Sequence, residues 1–293
     1  MPQGLYQMAE SVLSYLWQAL SASLIQILIL FGPGLLLTLV LNFETGYIQS
    51  RAVEIMGRGW YLGFFGWLGT IVHELGHAVF CVIFGHKITD IRLFDPDPES
   101  GTLGYVKHSY NRTNVYQLVG NFFIGIGPIL LGTAVIILLF YWLLGLSPNN
   151  LAGNFSAVPS PLNTWVSVRE LLQNLWNSSA HLLVEVFSWQ HITSWQLYVF
   201  IYVVFAIGSS ITLSPPDIKA ALGGFIAIVV LIFILNLATV WAGNYISNFV
   251  VGIAAYYVFF YTLAFLIFLI NLAVALAVLL PVFLLRLNRT KAA

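Results

Sequence analysis

Residues 59–85 read GWYLGFFGWLGTIVHELGHAVFCVIFG, and this stretch decides the fold. It is long enough to cross a bilayer, because about 20 apolar residues in a helix suffice. Its only acidic, basic or imidazole side chains are His73, Glu74 and His77. Such groups are costly inside a membrane and by default functional. The stretch therefore predicts a membrane helix that carries chemistry.

The composition of the whole chain agrees with a membrane protein. Of 293 residues, 59% are apolar and 8% charged, whereas a soluble domain carries about 25% charged residues. Eleven basic residues balance eleven acidic ones, so no nucleic-acid partner is expected. The single cysteine, Cys81, excludes an intrachain disulfide and a cysteine-rich metal site. The first 22 residues lack Lys and Arg, so we expect no signal peptide and a retained first span.

Uncharged runs predict six membrane spans in a single integral membrane domain covering 1–293. A break of the last run near Pro281 would give seven. The expected fold is an all-α polytopic membrane protein whose partner is the lipid bilayer. The six runs lie at about 23–43, 59–85, 116–146, 197–214, 221–241 and 249–285.

Two segments between spans have periodicities of their own. Within 86–112, residues 87–94 and 102–110 read as strands, and the turn-rich sequence DPDPESG separates them. They predict a β-hairpin directly after the HELGH span. Within 163–187, apolar side chains recur at helical spacing, which predicts an amphipathic helix on the membrane surface. These side chains are Trp165, Val168, Leu172, Leu175, Leu182 and Val186.

The distribution of Lys and Arg predicts the orientation in the membrane. With six spans and the N-terminus inside, the inner segments hold eight basic residues and the outer segments three, which favours cytoplasmic termini. The inner residues are Lys87, Arg92, Lys107, Arg112, Lys219, Arg286, Arg289 and Lys291, and the outer residues are Arg51, Arg58 and Arg169.

The sequence His73-Glu74-Leu75-Gly76-His77 is an HExxH motif. On a helix, positions i and i+4 share a face, so both imidazoles can bind one metal ion. Glu74 lies one step around the helix, where it can act as general base toward a water that the metal activates. Two imidazoles leave room for a third ligand and that water, which is the open arrangement of a catalytic zinc. The motif predicts one zinc ion per chain.

The third ligand must come from elsewhere. A histidine six residues after the motif is absent, because Ile83 stands there. Glu99 is a downstream candidate, although it lies in the turn of the hairpin. The structural alternative is that the three polar groups of the motif only pair with one another across helices. Other carboxylates and imidazoles fit solvated or interfacial positions better, and these are Glu170, Glu185, His181, His191, His86 and His108.

Asp217 is a stronger candidate for the third metal ligand, because its expected depth in the membrane matches that of the HELGH motif. It follows Ser214-Pro215-Pro216 at the end of the fourth predicted span. Spans two and four run parallel, and HELGH and Asp217 both lie toward the C-terminal ends of their spans, so they reach a similar depth. The prolines remove backbone donors and are expected to end the helix there. In the predicted orientation this depth is near the cytoplasmic side. The alternative is an interfacial Asp217 paired with Lys219.

These residues together resemble the site-2 protease family of intramembrane zinc proteases. Members carry HExxH in one span and an aspartate ligand in a later span after a proline-containing turn, as HELGH at 73–77 and SPPD at 214–217 do. The hairpin and the Gly127-Pro128 pair are also similar. The resemblance covers about 59–224, the expected catalytic core. It implies the metal ligands His73, His77 and Asp217, with Glu74 as general base.

The sequence departs from the family pattern at two places. Ile218 follows Asp217 where the common form has Gly, and the usual Asn after Gly-Pro is missing. Asn121 is the nearest amide, so Asn121, Gly127 and Pro128 are the candidates for substrate binding. An interhelical hydrogen bond is the alternative for Asn121, and close helix packing for Gly127.

Three functions are compatible with these features. The resemblance implies an endopeptidase that cleaves peptide bonds inside or beside transmembrane helices, with transmembrane proteins as substrates. In that case the hairpin could offer an edge strand to an unwound substrate. The second function is a membrane zinc protease that trims juxtamembrane tails. The third is a catalytically inactive scaffold or transporter, against which the presence of all four polar residues argues.

Overall fold

A computed structural model describes residues 3–97, 101–146, 165–239, 241, 243, 245–246, 249, 260–274 and 276–277. In this part of the chain, helices accompany one two-stranded sheet. In chain order the elements are α1 (Gln3–Met56), α2 (Arg58–Tyr61), a π-helical turn (Leu62–Gly66), α3 (Trp67–Ile83), β1 (Lys87–Arg92), β2 (Tyr105–Ser109), α4 (Val115–Gly125), α5 (Gly127–Leu144), α6 (Trp165–Val186), α7 (Trp189–Ile192), α8 (Trp195–Gly208), α9 (Pro215–Thr239) and α10 (Phe260–Val274).

Four of the described helices are long and apolar enough to cross a membrane. They are Tyr6–Met56, Arg58–Ile83, Gly127–Leu144 and Pro215–Thr239. The second of these is the continuous run of α2, the π-helical turn and α3. Three shorter apolar helices, α4, α8 and α10, accompany them. The predicted all-α membrane fold with a small hairpin is therefore confirmed. The last predicted span and the Glu99 turn lie partly or wholly outside the described residues.

The end of α3 determines where the hairpin begins. Gly85 adopts a positive φ of 68°, a conformation that costs glycine little. The N–H of His86 donates to the carbonyl of Cys81 at 2.8 Å, and that of Gly85 to Val82 at 3.1 Å. This bond pattern is a Schellman motif, which satisfies the last helical carbonyls. The chain therefore turns sharply after the HELGH helix and enters β1 at Lys87.

The hairpin is shorter than the sequence predicted, but it lies at the predicted place. β1 and β2 pair antiparallel, with Lys87 opposite Ser109 and Arg92 opposite Tyr105. The register shifts between Ile88 and Asp90, as at a β-bulge, which bends and twists a strand. Within 3–97 and 101–146, β1 and β2 are the only strands.

Two predicted spans differ from the structure. The run at 116–146 is two helices, α4 and α5, separated at Ile126 with Pro128 in the first turn of α5. The fourth span ends at Gly208, six residues before Ser214. The SPPD sequence therefore begins α9 and does not close the preceding helix. Proline is well tolerated in the first turn of a helix, where its missing N–H would have no partner.

The apolar core lies around α8. Phe200 is fully buried and packs on Phe140 of α5, with ring centroids 4.7 Å apart. The C-terminal part of the amphipathic helix α6 joins this core through Leu182 and Val186. The helix predicted at 163–187 is thus present as Trp165–Val186, and its apolar stripe is partly covered by protein. This core holds α8 in place. After α8 the chain continues to Asp217 in the first turn of α9, a candidate metal ligand.

Candidate metal centre

The HELGH helix and the first turn of α9 bring three potential metal ligands together. His73, His77 and Asp217 form a group whose ligand atoms all lie within 4.8 Å of one another. The two Nε2 atoms are 3.2 Å apart. Asp217 Oδ1 is 3.3 Å from His77 Nε2, and Asp217 Oδ2 is 3.7 Å from His73 Nε2. Among the residues that the structure describes, this is the one such group.

Backbone carbonyls fix both imidazoles for metal binding. His73 Nδ1 lies 2.6 Å from the carbonyl oxygen of Ser210, and His77 Nδ1 lies 2.8 Å from that of Ile124. A carbonyl can only accept, so each Nδ1 carries the proton and donates it. Each Nε2 then presents a lone pair to the space between the rings. Such outer hydrogen bonds orient metal-ligating histidines.

A capping box fixes Asp217. The backbone N–H of Ser214 donates to Asp217 Oδ2 at 2.9 Å, and the Ser214 hydroxyl contacts the same oxygen at 2.5 Å. In return, the Asp217 N–H lies 3.4 Å from the Ser214 hydroxyl oxygen. Serine at the N-cap with an acidic residue three positions later is a known start of a helix. These bonds go to Oδ2, which leaves Oδ1 free to bind a metal.

Glycines allow the helices of the site to approach closely. A Cβ added to Gly76 would lie 2.6 Å from the carbonyl carbon of Gly127 and 2.6 Å from Pro128 N, so α3 and α5 touch through their backbones. A Cβ on Gly69 would lie 2.2 Å from the carbonyl oxygen of Ala206 in α8. On Gly125 it would lie 2.9 Å from the Asp217 carbonyl. The small residues therefore position the helices that carry the ligands.

The donor set fits a tetrahedral metal. With ligand bonds of about 2.0–2.1 Å, tetrahedral geometry separates ligand atoms by about 3.3 Å. The two Nε2 atoms, 3.2 Å apart, and the pair of His77 Nε2 and Asp217 Oδ1, 3.3 Å apart, match that value. Two imidazoles and one carboxylate occupy three positions and leave the fourth open, as at a catalytic site.

Glu74 lies beside the three ligands in a cavity of about 580 Å³. The side chain is largely buried, with 7% exposed. The segment before β2 covers it, since a Cβ on Gly104 would lie 2.9 Å from Glu74 Cγ. The hairpin thus folds back over the HELGH helix. Residues 101–106 form one wall of the cavity, and residues 212–214 line it as well.

His108 also lines the cavity and is tied to the base of the hairpin. Its Nδ1 is 3.0 Å from His86 Nδ1, and His86 Nε2 lies 2.8 Å from the carbonyl oxygen of Gln117. Burial lowers the pKa of His108, and the neighbouring His86 and His77 lower it further. Because a carbonyl can only accept, His86 Nε2 carries a proton and donates it to the Gln117 carbonyl.

The other residues considered for metal binding lie elsewhere. His181 Nδ1 and Glu185 Oε2 are 3.5 Å apart on α6. His191 contacts the carbonyls of Glu185 and Leu144. Glu170 also belongs to α6. In the described part of the chain, none of these joins the cluster of His73, His77 and Asp217.

The candidates for substrate binding lie behind the site. Gly127 and Pro128 abut the backbone of Gly76. Asn121 is buried in α4, with 4% of its surface exposed. None of the three belongs to the described lining of the cavity. The contact with Gly76 gives Gly127 a packing role.

Sequence reasoning missed three supporting groups. The carbonyls of Ser210 and Ile124 carry no sequence signal, because every residue has a carbonyl. Ser214 did carry one, since Ser-Pro-Pro-Asp is a capping box with proline at the first helical position. The prolines alone predict the end of a helix, whereas in the structure the sequence begins the next one.

Comparison with known proteins agrees with this geometry. The family model described as Peptidase M50B-like matches residues 52–218, which is more than half of the chain. The chain belongs to the Peptidase M50B-like family. This is the site-2 protease family, so the predicted resemblance is confirmed. The matched region contains the HELGH helix, the hairpin and Asp217. No curated protein and no solved structure matches the chain.

Proposed function

We propose that this membrane peptidase is a zinc-dependent intramembrane endopeptidase that hydrolyses peptide bonds in or near transmembrane segments of other proteins. One observation carries the proposal. His73, His77 and Asp217 present converging donor atoms with one position open, and Glu74 lies beside them in a cavity that strand β2 and the segment before it line.

In this proposal His73, His77 and Asp217 hold one zinc ion per chain. Bound zinc acts as a Lewis acid and lowers the pKa of water toward about 7. Glu74 accepts the proton of the attacking water and returns it to the leaving amine. Its carboxylate is shielded from solvent by the segment around Gly104, which keeps the proton at the site.

The β-strand that borders the cavity supports a peptide substrate. A helix must unwind before water can reach its carbonyl, and unwound backbone inside lipid needs new hydrogen-bond partners. Residues 101–104 line the cavity and lead directly into β2, whose Tyr105, Val106 and His108 line it as well. An extended substrate would find partners along such an edge. The proposed partners are therefore transmembrane proteins with a segment able to unwind.

The balance of basic residues supports an orientation with cytoplasmic termini and a site near the cytoplasmic side. In the structure, the HELGH motif ends six residues before the end of α3, which is about 9 Å along the helix axis. The site would thus lie between the middle of the bilayer, whose hydrocarbon core is about 30 Å thick, and its cytoplasmic surface. Substrate spans would be cut in their cytoplasmic half.

The test is cleavage of a co-expressed library of single-span proteins, with the cut positions mapped by mass spectrometry. Wild type should cut within or beside the spans, and Glu74→Gln should cut none while retaining zinc. Glu54→Gln, the same change at an exposed glutamate of α1, should behave as wild type. Cuts confined to soluble tails would favour the trimming protease. Normal cleavage by Glu74→Gln would overturn the proposed mechanism.

A further inference from the structure

The first helix contributes a side chain that contacts the wall of the site. Asn42 of α1 lies outside the region that the peptidase family model matches. Its Oδ1 accepts from the backbone N–H of Leu213 at 3.1 Å, and its Nδ2 lies 3.5 Å from the Leu213 carbonyl oxygen. One side-chain amide thus contacts both polar backbone groups of a single residue.

This contact indicates an extended backbone at Leu213. The N–H and C=O of one residue point to the same side only when the chain is extended, as in a hydrogen-bonded pair of antiparallel strands. The Asn42 amide therefore replaces a neighbouring strand. In an extended chain the next residues point their polar groups the opposite way. In agreement with this, the N–H of Ser214 donates to Asp217 Oδ2 at 2.9 Å and not to α1.

Thr212 is the residue on the other side of Leu213. By the same alternation, its N–H and C=O point away from α1, and Thr212 lines the cavity. Among the described residues, no main-chain partner bonds these two groups. In an extended chain these groups form a short backbone edge at the cavity that residues 101–106 of the hairpin also line. Such an edge pairs with any extended peptide, because it contacts main-chain atoms and not side chains.

We propose that Asn42 is a positioning residue with two effects, through the backbone of Leu213. It holds Ser214 where the capping box orients Asp217 toward the metal, and it turns the Thr212 edge toward the backbone of an extended substrate. The inference rests on the proposed peptidase function and deepens it. The substrate class is an extended polypeptide recognised through its main chain.

The test compares Asn42→Leu with Asn42→Asp. Leucine has a similar size but forms neither bond, so zinc affinity should fall about 10-fold, as for other outer groups of metal sites. The KM for a cleaved single-span protein should rise about five-fold, which corresponds to one lost hydrogen bond. Aspartate keeps the acceptor of the 3.1 Å bond but loses the donor to the Leu213 carbonyl, so it should recover part of both losses. Phe43→Ala, at an adjacent side chain that is 81% exposed, serves as control.

Zinc affinity is measured by competition with a chelator, and folding by the thermal midpoint in detergent. The inference would be overturned if Asn42→Leu had the zinc affinity and the KM of wild type. It would also be overturned if Asn42→Asp showed no higher zinc affinity and no lower KM than Asn42→Leu. Asn42→Ala replaces the leucine variant if that variant does not fold. If wild type cleaves no protein at all, the proposed function fails, whereas the zinc measurement still decides whether Asn42 positions Asp217.

Discussion

The contact between Gly76 and Gly127 gives the sharpest packing prediction. In Gly76→Ala the new methyl group would lie 2.6 Å from two backbone atoms of Gly127 and Pro128. Ordinary contacts begin at about 3.4 Å, and backbone cannot rotate away as a side chain can, so α3 and α5 must separate by about 0.8 Å. Overpacking of this kind costs about 1–3 kcal/mol of stability.

The same displacement affects the metal site, because His77 follows Gly76 directly. Metal-ligand distances tolerate changes of about 0.2 Å, so a shift several times larger should weaken zinc binding by at least about 10-fold. The assay measures the thermal midpoint in detergent and the zinc content of purified protein. Gly223→Ala is the matched control, because a Cβ at that helical glycine meets nothing within 4 Å. A Gly76→Ala protein with wild-type midpoint and zinc content would refute this reasoning.

Three further predictions concern other parts of the site. Ser214→Ala removes a 2.5 Å contact to Asp217 Oδ2 and should lower zinc affinity about 10–100-fold. Ser214→Thr keeps the hydroxyl and should bind zinc as wild type does. Equal zinc affinities of Ser214→Ala and wild type in a titration would show that the capping box does not support the metal site. Gly104→Ala would place a methyl group 2.7 Å from the Arg92 carbonyl oxygen and 2.9 Å from Glu74 Cγ, so cleavage should fall at least about 10-fold while zinc stays bound. Gly59→Ala, which meets nothing within 4 Å, is its control, and unchanged cleavage would remove the hairpin from the site. Chelation should abolish cleavage and added zinc should restore it; activity that persists in metal-free protein would exclude a metal mechanism.

Sequence was sufficient where the deciding residues are close in the chain. The spacing of His73 and His77 places both on one face of a helix, whatever surrounds them. The change to alternating residues after Gly85 locates the hairpin to within a few residues. These features depend on local geometry, which a single sequence reports directly.

The sequence was less informative where a break lies within an apolar run. Residues 116–146 look like one span, because helix α4, the turn at Ile126 and helix α5 are all apolar. Hydropathy measures transfer into lipid and does not measure helix continuity. Similarly, the prolines of SPPD are compatible with the end of one helix or the start of the next. Only the Ser–Asp pairing distinguishes the two.

Long-range support was beyond a single sequence. The carbonyl of Ser210 that orients His73 and the side chain of Asn42 that contacts Leu213 are brought to the site by packing of α8 and α1. Asn42 is 171 residues from its partner. No pattern in one sequence connects such positions, so these contacts depend on the structure.

The most direct test of the account is the zinc content of four purified proteins prepared side by side. Wild type and Glu74→Gln should each hold about one zinc per chain, because Glu74 is not a ligand. Asp217→Ala should lose the metal, and Asp95→Ala, at an aspartate paired with Arg92 on the hairpin, should keep it. Stoichiometric zinc in Asp217→Ala would contradict a site built from His73, His77 and Asp217.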